Sequence, residues 1–136
     1  MDFLRFSLSG FDEFLLYFGL SLVFVAIFLV IYVWVTPYRE IALIREGNAA
    51  AAASLSGALL GFVLPLSSAA IHSVHPYDMA LWAAIALVVQ LLAYFASRLV
   101  LPDLARDIPA GKVASGVFLG ALSVGVGILN AVSMSY

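Results

Sequence analysis

The stretch GNAAAAASLSGALLGFVLPLSSAAI, Gly47 to Ile71, decides the fold. From Asn48 onward it carries no charged residue, and Ala50, Ser54, Gly57, Gly61, Pro65 and Ser68 recur at steps of three and four. On a helix of about 3.6 residues per turn these positions share one face. An apolar segment of this length, rising about 1.5 Å per residue, crosses a hydrocarbon layer of about 30 Å. Its seam of small side chains lets a second helix come close.

Working outward, the segment is the second half of a unit that the chain uses twice. The first copy runs from Asp12 through an apolar span, Phe14 to Val35, to Pro37, a charged stretch from Arg39 to Glu46, Gly47, and then Asn48 to Ile71. The second runs from Asp78 through Met79 to Leu101, Pro102, Asp103 to Asp107 and Gly111, then Lys112 to Val132. Asp12/Asp78, Pro37/Pro102 and Gly47/Gly111 recur at nearly one offset, as a duplicated helical hairpin predicts. The fold expected is therefore an all-α integral membrane protein: four transmembrane helices as two parallel tandem helical-hairpin repeats (12–71 and 78–132), forming one transmembrane domain over residues 1–136.

Composition supports the same class. The 136 residues are 65% hydrophobic and only 10% charged, with a mean hydropathy of +1.13, far from a soluble domain. Backbone groups in lipid must bond one another, and no stretch alternates as a barrel strand would, so the spans are helices. Four crossings leave no soluble domain to hold a catalytic fold, and no enzymatic activity, cofactor or nucleic-acid partner is expected. The chain has no cysteine, which excludes disulfide and thiolate chemistry. The first apolar run is too long for a signal peptide, and Thr36-Pro37-Tyr38-Arg39 is no cleavage site, so this run is expected to remain as a helix.

Basic residues near span ends stay on the cytoplasmic side. Arg39 and Arg45 lie in the first connection, Arg98, Arg106 and Lys112 around the third, and only Arg5 on the other side. The expected chain starts outside, shows both charged loops to the cytoplasm, turns outside through His72 to Asp78, and ends outside at Tyr136. Both copies then insert in one direction, which disfavours an inverted-repeat transporter.

A second seam runs along the fourth span through Lys112, Gly116, Gly120, Ser123, Gly127 and Asn130, and a third through Ala83, Ala86, Gln90, Ala93 and Ser97. Gly57/Gly61 and Gly116/Gly120 are GxxxG pairs, which favour close helix contact in lipid. Gly57, Gly61, Gly116, Gly120 and Gly127 are therefore expected at helix contacts. Packing within the chain is the primary expectation, and three seams also suggest a homo-oligomer. The first span, with Phe24, Ile27, Phe28, Ile31 and Trp34, is bulky nearly all round and is expected to face membrane lipid.

Among polar residues inside the spans, only Gln90 lies near the middle. Its amide is expected to act as interhelical glue, in preference to lining a pore. Asn130, Ser67 and Ser68 lie nearer the outer end and could join it in a polar funnel, or equally could bond backbone carbonyls. Pro65 removes one helical hydrogen bond and is expected to kink its span. No ionisable residue occupies the centre of any span, which argues against proton-coupled carriers and motor stators.

His72-Ser73-Val74-His75-Pro76-Tyr77-Asp78 gathers two imidazoles and a carboxylate, but Pro76 breaks the helix that would align them and no further ligand follows. A solvated turn anchored by Tyr77 and Trp82 is expected, with no metal. Asn48 is expected to cap the second span, a role that Lys112 at the matching place cannot fill. Tyr38 to Glu46 reads as a short interfacial helix with Ile41 and Ile44 toward lipid.

The run Ser56 to Ile71, the stretch Ile85-Ala86-Leu87-Val88-Val89-Gln90-Leu91-Leu92, the ending Gly127-Ile128-Leu129-Asn130-Ala131 and the Thr36-Pro37 and Leu101-Pro102 exits resemble YjfL-type bacterial inner-membrane proteins. The resemblance covers nearly the whole chain. It implies a bacterial inner-membrane location, an unassigned biochemical role and no catalytic residues to carry over. It also implies gene groups with PspA-like membrane-stress proteins and polyamine-ligase-like enzymes, and hence an envelope-stress role. Asn48 and Gly47 match the family's first-copy motif, whereas Lys112 departs from a polar amide in the second. The function expected is a self-associating membrane scaffold docking cytoplasmic membrane-stress proteins through Arg39–Glu46 and Arg106–Lys112. The alternative is an oligomeric passive conduit for ions or small solutes lined by Gln90, Asn130 and the seam serines.

Overall fold

The structure, a computed structural model, describes residues 2–134. The expected chain end at Tyr136 lies outside the described residues. Among those described, four helices are long and apolar enough to cross a membrane. They are α2 (Phe11–Val35), α4 (Ala49–His72), α5 (Pro76–Val100) and α7 (Val113–Ser133), joined with three short helices: α1 (Asp2–Leu8), α3 (Glu40–Arg45) and α6 (Leu104–Asp107). The spans fall within a few residues of the expected limits. The helical turn of α6 and the helix α1 before Gly10 had not been expected.

Local chemistry sets the ends. Pro37 cannot continue α2, and Thr36 takes an extended backbone as its cap. Helices α3 and α6 both stop at a glycine in the left-handed region, Gly47 at φ 87° and Gly111 at φ 81°. A side chain there would be strained. Each glycine N–H bonds back three residues (to Ile44 and Ile108, at 2.9 and 3.0 Å), and each following N–H bonds back five (Asn48 to Leu43, 2.9 Å; Lys112 to Asp107, 3.0 Å). These Schellman-type closures satisfy the last carbonyls of both short helices. They also aim α4 and α7 into the membrane from one end of the bundle, here termed the loop end. The α4–α5 connection lies at the opposite, turn end.

Helix α4 is the centre of the packing. Ala50, Ala51, Leu55, Ala58, Phe62, Leu66 and Ala69 on it are all buried, against Met79, Ala83, Ala86 and Tyr94 of α5 and Leu119 of α7. Its largest interface is with α7. Gly116 meets Ala50 at the loop end and Gly127 meets Gly61 farther along, so the residue order rises together and the two helices run parallel. Helix α2 makes the lightest contact of the four spans, with only Phe28 and Tyr32 buried. An aromatic ladder pins it: Phe28 stacks on Phe62 of α4 with centroids 4.4 Å apart, and Tyr32 meets Tyr94 of α5 edge-on at 6.0 Å. Trp34, Val30 and Phe14 face outward.

The connection after α2 departs from expectation. A short helix does form there, over Glu40–Arg45 rather than Tyr38 to Glu46. Tyr38 and Glu40 turn into the bundle while Arg39 between them is exposed. Ile41 is exposed as expected, but Ile44 packs on the core.

Candidate functional site

Two polar arrangements sit in this frame, one along the α4–α5–α7 contact and one at the loop end. The first contains every residue singled out for helix packing. A Cβ built on Gly57 would lie 2.6 Å from the Gly120 carbonyl carbon, one on Gly116 2.7 Å from Ala50 Cα, and one on Gly127 2.6 Å from Gly61 Cα. Gly61 in turn faces Ser123 backbone and the Gln90 amide, and Gly120 faces Ala53. All five glycines thus lie inside the chain, between α4 and α7. Only backbone-to-backbone contact fits there, the geometry that small-residue seams permit in lipid.

Pro65 takes part without interrupting α4, which runs unbroken from Ala49 to His72. Having no N–H, it leaves the Gly61 carbonyl without its helical partner. That carbonyl faces Gly127, where a weak Cα–H···O contact can take the place of the missing bond.

Gln90 is fully buried, and its Nε2 donates to the Ser123 carbonyl at 3.1 Å, tying α5 to α7. Its Oε1 has no hydrogen-bond partner among the described residues. The other expected polar contacts do not converge on it. Ser68 Oγ donates to the Ala131 carbonyl at 3.3 Å near the turn end, while Ser67 is exposed in an apolar groove beside α2 lined by Phe18, Leu22 and Val63. Asn130 is half-buried, with its Nδ2 unpartnered. Gln90 and Ser68 thus each bond a backbone carbonyl of α7, at Ser123 and Ala131, as separate contacts.

At the loop end Asn48 Oδ1 accepts the Ala51 N–H at 2.9 Å, the helix cap expected, and its Nδ2 reaches across to the Ile108 carbonyl at 3.0 Å. One amide thus caps α4 and stitches the first charged connection to the second. Lys112, at the start of α7, caps nothing. Instead Lys112 Nζ lies 3.4 Å from Asp107 Oδ1, and Ser115 Oγ donates to Asp107 Oδ2 at 3.2 Å.

The residues missed by sequence reasoning lie beneath this surface. Glu40 is fully buried, with Thr36 Oγ1 donating to its Oε1 at 2.7 Å. Its Oε2 and the buried Tyr32 hydroxyl have no hydrogen-bond partner among the described residues, while Tyr38 and Tyr94 interact through their hydroxyls and Arg98 lies against Tyr94. Burial pushes the Glu40 carboxyl up to about 7, against the opposing pull of the Thr36 hydroxyl. Burial likewise raises the Tyr38 phenol, with Tyr94 next in effect. The available signal was the alternation of Tyr38, Arg39 and Glu40 after Pro37, together with tyrosines at like depth on two helices.

At the turn end His75 Nδ1 accepts the Tyr77 N–H at 3.1 Å and caps α5, whose first residue is Pro76. His72 Nδ1 lies 2.9 Å from the Ser68 carbonyl oxygen. Among the described residues no three His, Cys, Asp or Glu side chains group as a metal site.

Comparison with known proteins places these features in context. Residues 6–134 match the family model described as Domain of Unknown Function (DUF350). The chain is 44% identical over 120 residues to the UPF0719 inner membrane protein YjfL of Escherichia coli K12, covering 88% of this chain and 91% of that protein. The protein of the same name from Escherichia coli O157:H7 matches to the same extent. No solved structure matches the chain.

Proposed function

The chain belongs to the DUF350 family and is a small polytopic inner-membrane protein, and from that premise we propose that it is a non-enzymatic, self-associating scaffold of an envelope-stress system. The reading takes the fold as two tandem helical hairpins with both termini periplasmic and the loop end cytoplasmic. Matched glycine closures at Gly47 and Gly111, each after a short helix and before a span, support the tandem arrangement.

The observation that carries the scaffold reading is the division of polar from apolar groups. Along the bundle, glycine backbones touch and Gln90 is bonded to Ser123, which leaves little to line a lumen. At the loop end Arg39, Arg45 and Arg98 are exposed outside the two ion pairs, which hold Arg106 to Asp103 and Lys112 to Asp107. This cationic face suits acidic surfaces of cytoplasmic membrane-stress proteins. Self-association draws on the outer face of α7, where Ala121 and Gly125 remain exposed as a second small-xxx-small pair.

Reconstitution tests the reading. Tight liposomes, an oligomer in nanodiscs, and partner binding lost on joint Arg39→Ala and Arg45→Ala substitution are expected. Ion or solute flux that Gln90→Leu alters would favour a passive conduit instead. Cysteine labelling of Ser73 and Ser133 against Ala42 tests the orientation, with Ala42 alone expected to react from the cytoplasm.

A further inference from the structure

Helix α3 folds back along the last turns of α2 instead of projecting from the bundle. Its Ile41 shares an open groove of about 220 Å³ with Leu29, Val30 and Val33 of α2. Those three residues precede the end of α2 at Val35, so at about 1.5 Å per residue the groove spans depths of about 3–9 Å beneath that end. An interfacial helix sinks its apolar face to the same depth, at the boundary between headgroups and acyl chains. Toward the bundle Glu40 is buried and Leu43 and Ile44 pack on the core; on the outer side Ile41, Ala42 and Arg45 are exposed.

An apolar wall and an unpaired charge meet here. All four lining side chains are aliphatic, and a water held among them would need polar partners that they do not supply, so hydrocarbon fills the groove. Arg45 follows Ile41 by four residues and therefore shares its face of α3, and Arg39 stands at the start of that helix. Both are exposed, and neither belongs to an ion pair among the described residues, where the pairs are Arg106–Asp103 and Lys112–Asp107. Glu46 is the other exposed charge of this connection, turned about 100° round the helix from Arg45. Trp34, four residues on from Val30 and 84% exposed, borders the groove on α2, at the level where tryptophan meets headgroups.

We infer that the α2–α3 groove binds one anionic phospholipid, with an acyl chain against Leu29, Val33 and Ile41 and the phosphate on the Arg45 guanidinium. Arg39 adds positive charge from the other end of α3. A guanidinium forks onto two phosphate oxygens at once. In a zwitterionic lipid the tethered cation competes with the arginine for that phosphate, whereas a headgroup of net negative charge brings no rival, and the site selects on this difference. The inference requires only that the chain lie in a bilayer. No partner protein enters its test, so it stands or fails apart from the scaffold reading.

The experiment uses the full chain with Trp82→Phe, which leaves Trp34 as the single tryptophan, in phosphatidylcholine vesicles. Phosphatidylglycerol or phosphatidylethanolamine brominated on one acyl chain is added in rising proportion, and quenching of Trp34 fluorescence reports lipid in the groove. Brominated phosphatidylglycerol is expected to show at least about fivefold the relative affinity of brominated phosphatidylethanolamine, the ratio that one arginine near an anionic surface supplies. Arg45→Gln removes the phosphate contact, and Ile41→Ser removes an apolar wall with charge unchanged; each is expected to bring the ratio below about twofold. Both positions are exposed, and the comparison of the two lipids on the unsubstituted groove is decisive should either variant fail to fold. Equal quenching by the two lipids overturns the site. So does a preference that survives Ile41→Ser, which would mark diffuse attraction to the basic face. Absence of quenching by either lipid, the result if a second copy covered the groove, overturns it as well.

Discussion

Replacing Gly57 by alanine gives the sharpest test of the α4–α7 contact. The added methyl would sit 2.6 Å from the Gly120 carbonyl carbon, against about 3.5–4.0 Å for carbon atoms in comfortable contact. The two helices must therefore part locally by about 1 Å. At such a gap, facing atoms forfeit between about a quarter and a half of their dispersion energy. Overpacking of this kind costs about 1–3 kcal/mol. With the upper end apt for contact between two backbones, and alanine's better helix propensity returning up to about 1 kcal/mol, a net loss of about 2 kcal/mol is expected. Gly19→Ala on α2 is the matched control, because nothing lies within 4 Å of its added methyl; it should be neutral or slightly stabilising. Unfolding by steric trapping in bicelles reads both. Equal stability of the two variants would refute the assignment of Gly57 to a backbone-on-backbone contact.

Three further outcomes follow from the same geometry. Burial raises the Glu40 carboxyl from 4.5 to about 7, so its stabilising contribution is complete below the unfolded value and is lost as pH rises through about 7. Measured unfolding should show a decline of at most about 3 kcal/mol between about pH 5 and pH 8, absent in Glu40→Gln; a rise instead would contradict the buried neutral carboxyl. Gln90→Leu removes the bond to the Ser123 carbonyl and should cost about 0.6 kcal/mol, at most about 1.7, with local loosening of α5 from α7 seen by hydrogen exchange. Asn48→Ala should cost about 1 kcal/mol for the lost cap and speed exchange at Ala51, while also freeing the second connection at Ile108.

The sequence made the spans legible because their determinant is local: a run of about twenty apolar residues in lipid has one workable conformation. The faces were legible for the same reason, since Gly57, Gly61, Gly116 and Gly120 follow the helical period. The pairing of those faces was not, as three seams of similar composition do not say which meets which. Gln90 could be read as a tie, but its acceptor, the Ser123 carbonyl, is a backbone group that no side-chain pattern reveals. Glu40 escaped because a glutamate between Arg39 and Arg45 in a short connection has the pattern of a solvated loop. Its burial comes from Pro37 turning the chain back beneath Tyr94, a tertiary event. Asn48 was half legible: the cap follows from position, the reach to Ile108 from the meeting of two distant loops.

The parallel pairing of α4 with α7 imposes an order on biogenesis. While α4 leaves the translocon its glycine face has no companion, and α5 and both remaining turns must be made before α7 emerges to cover it. During that interval the nascent protein presents to lipid, insertases and membrane proteases a groove that the finished protein conceals. A ribosome stalled before Val113 would therefore release an intermediate marked for capture by quality control, and the last span to be synthesised acts as the closing stroke of assembly.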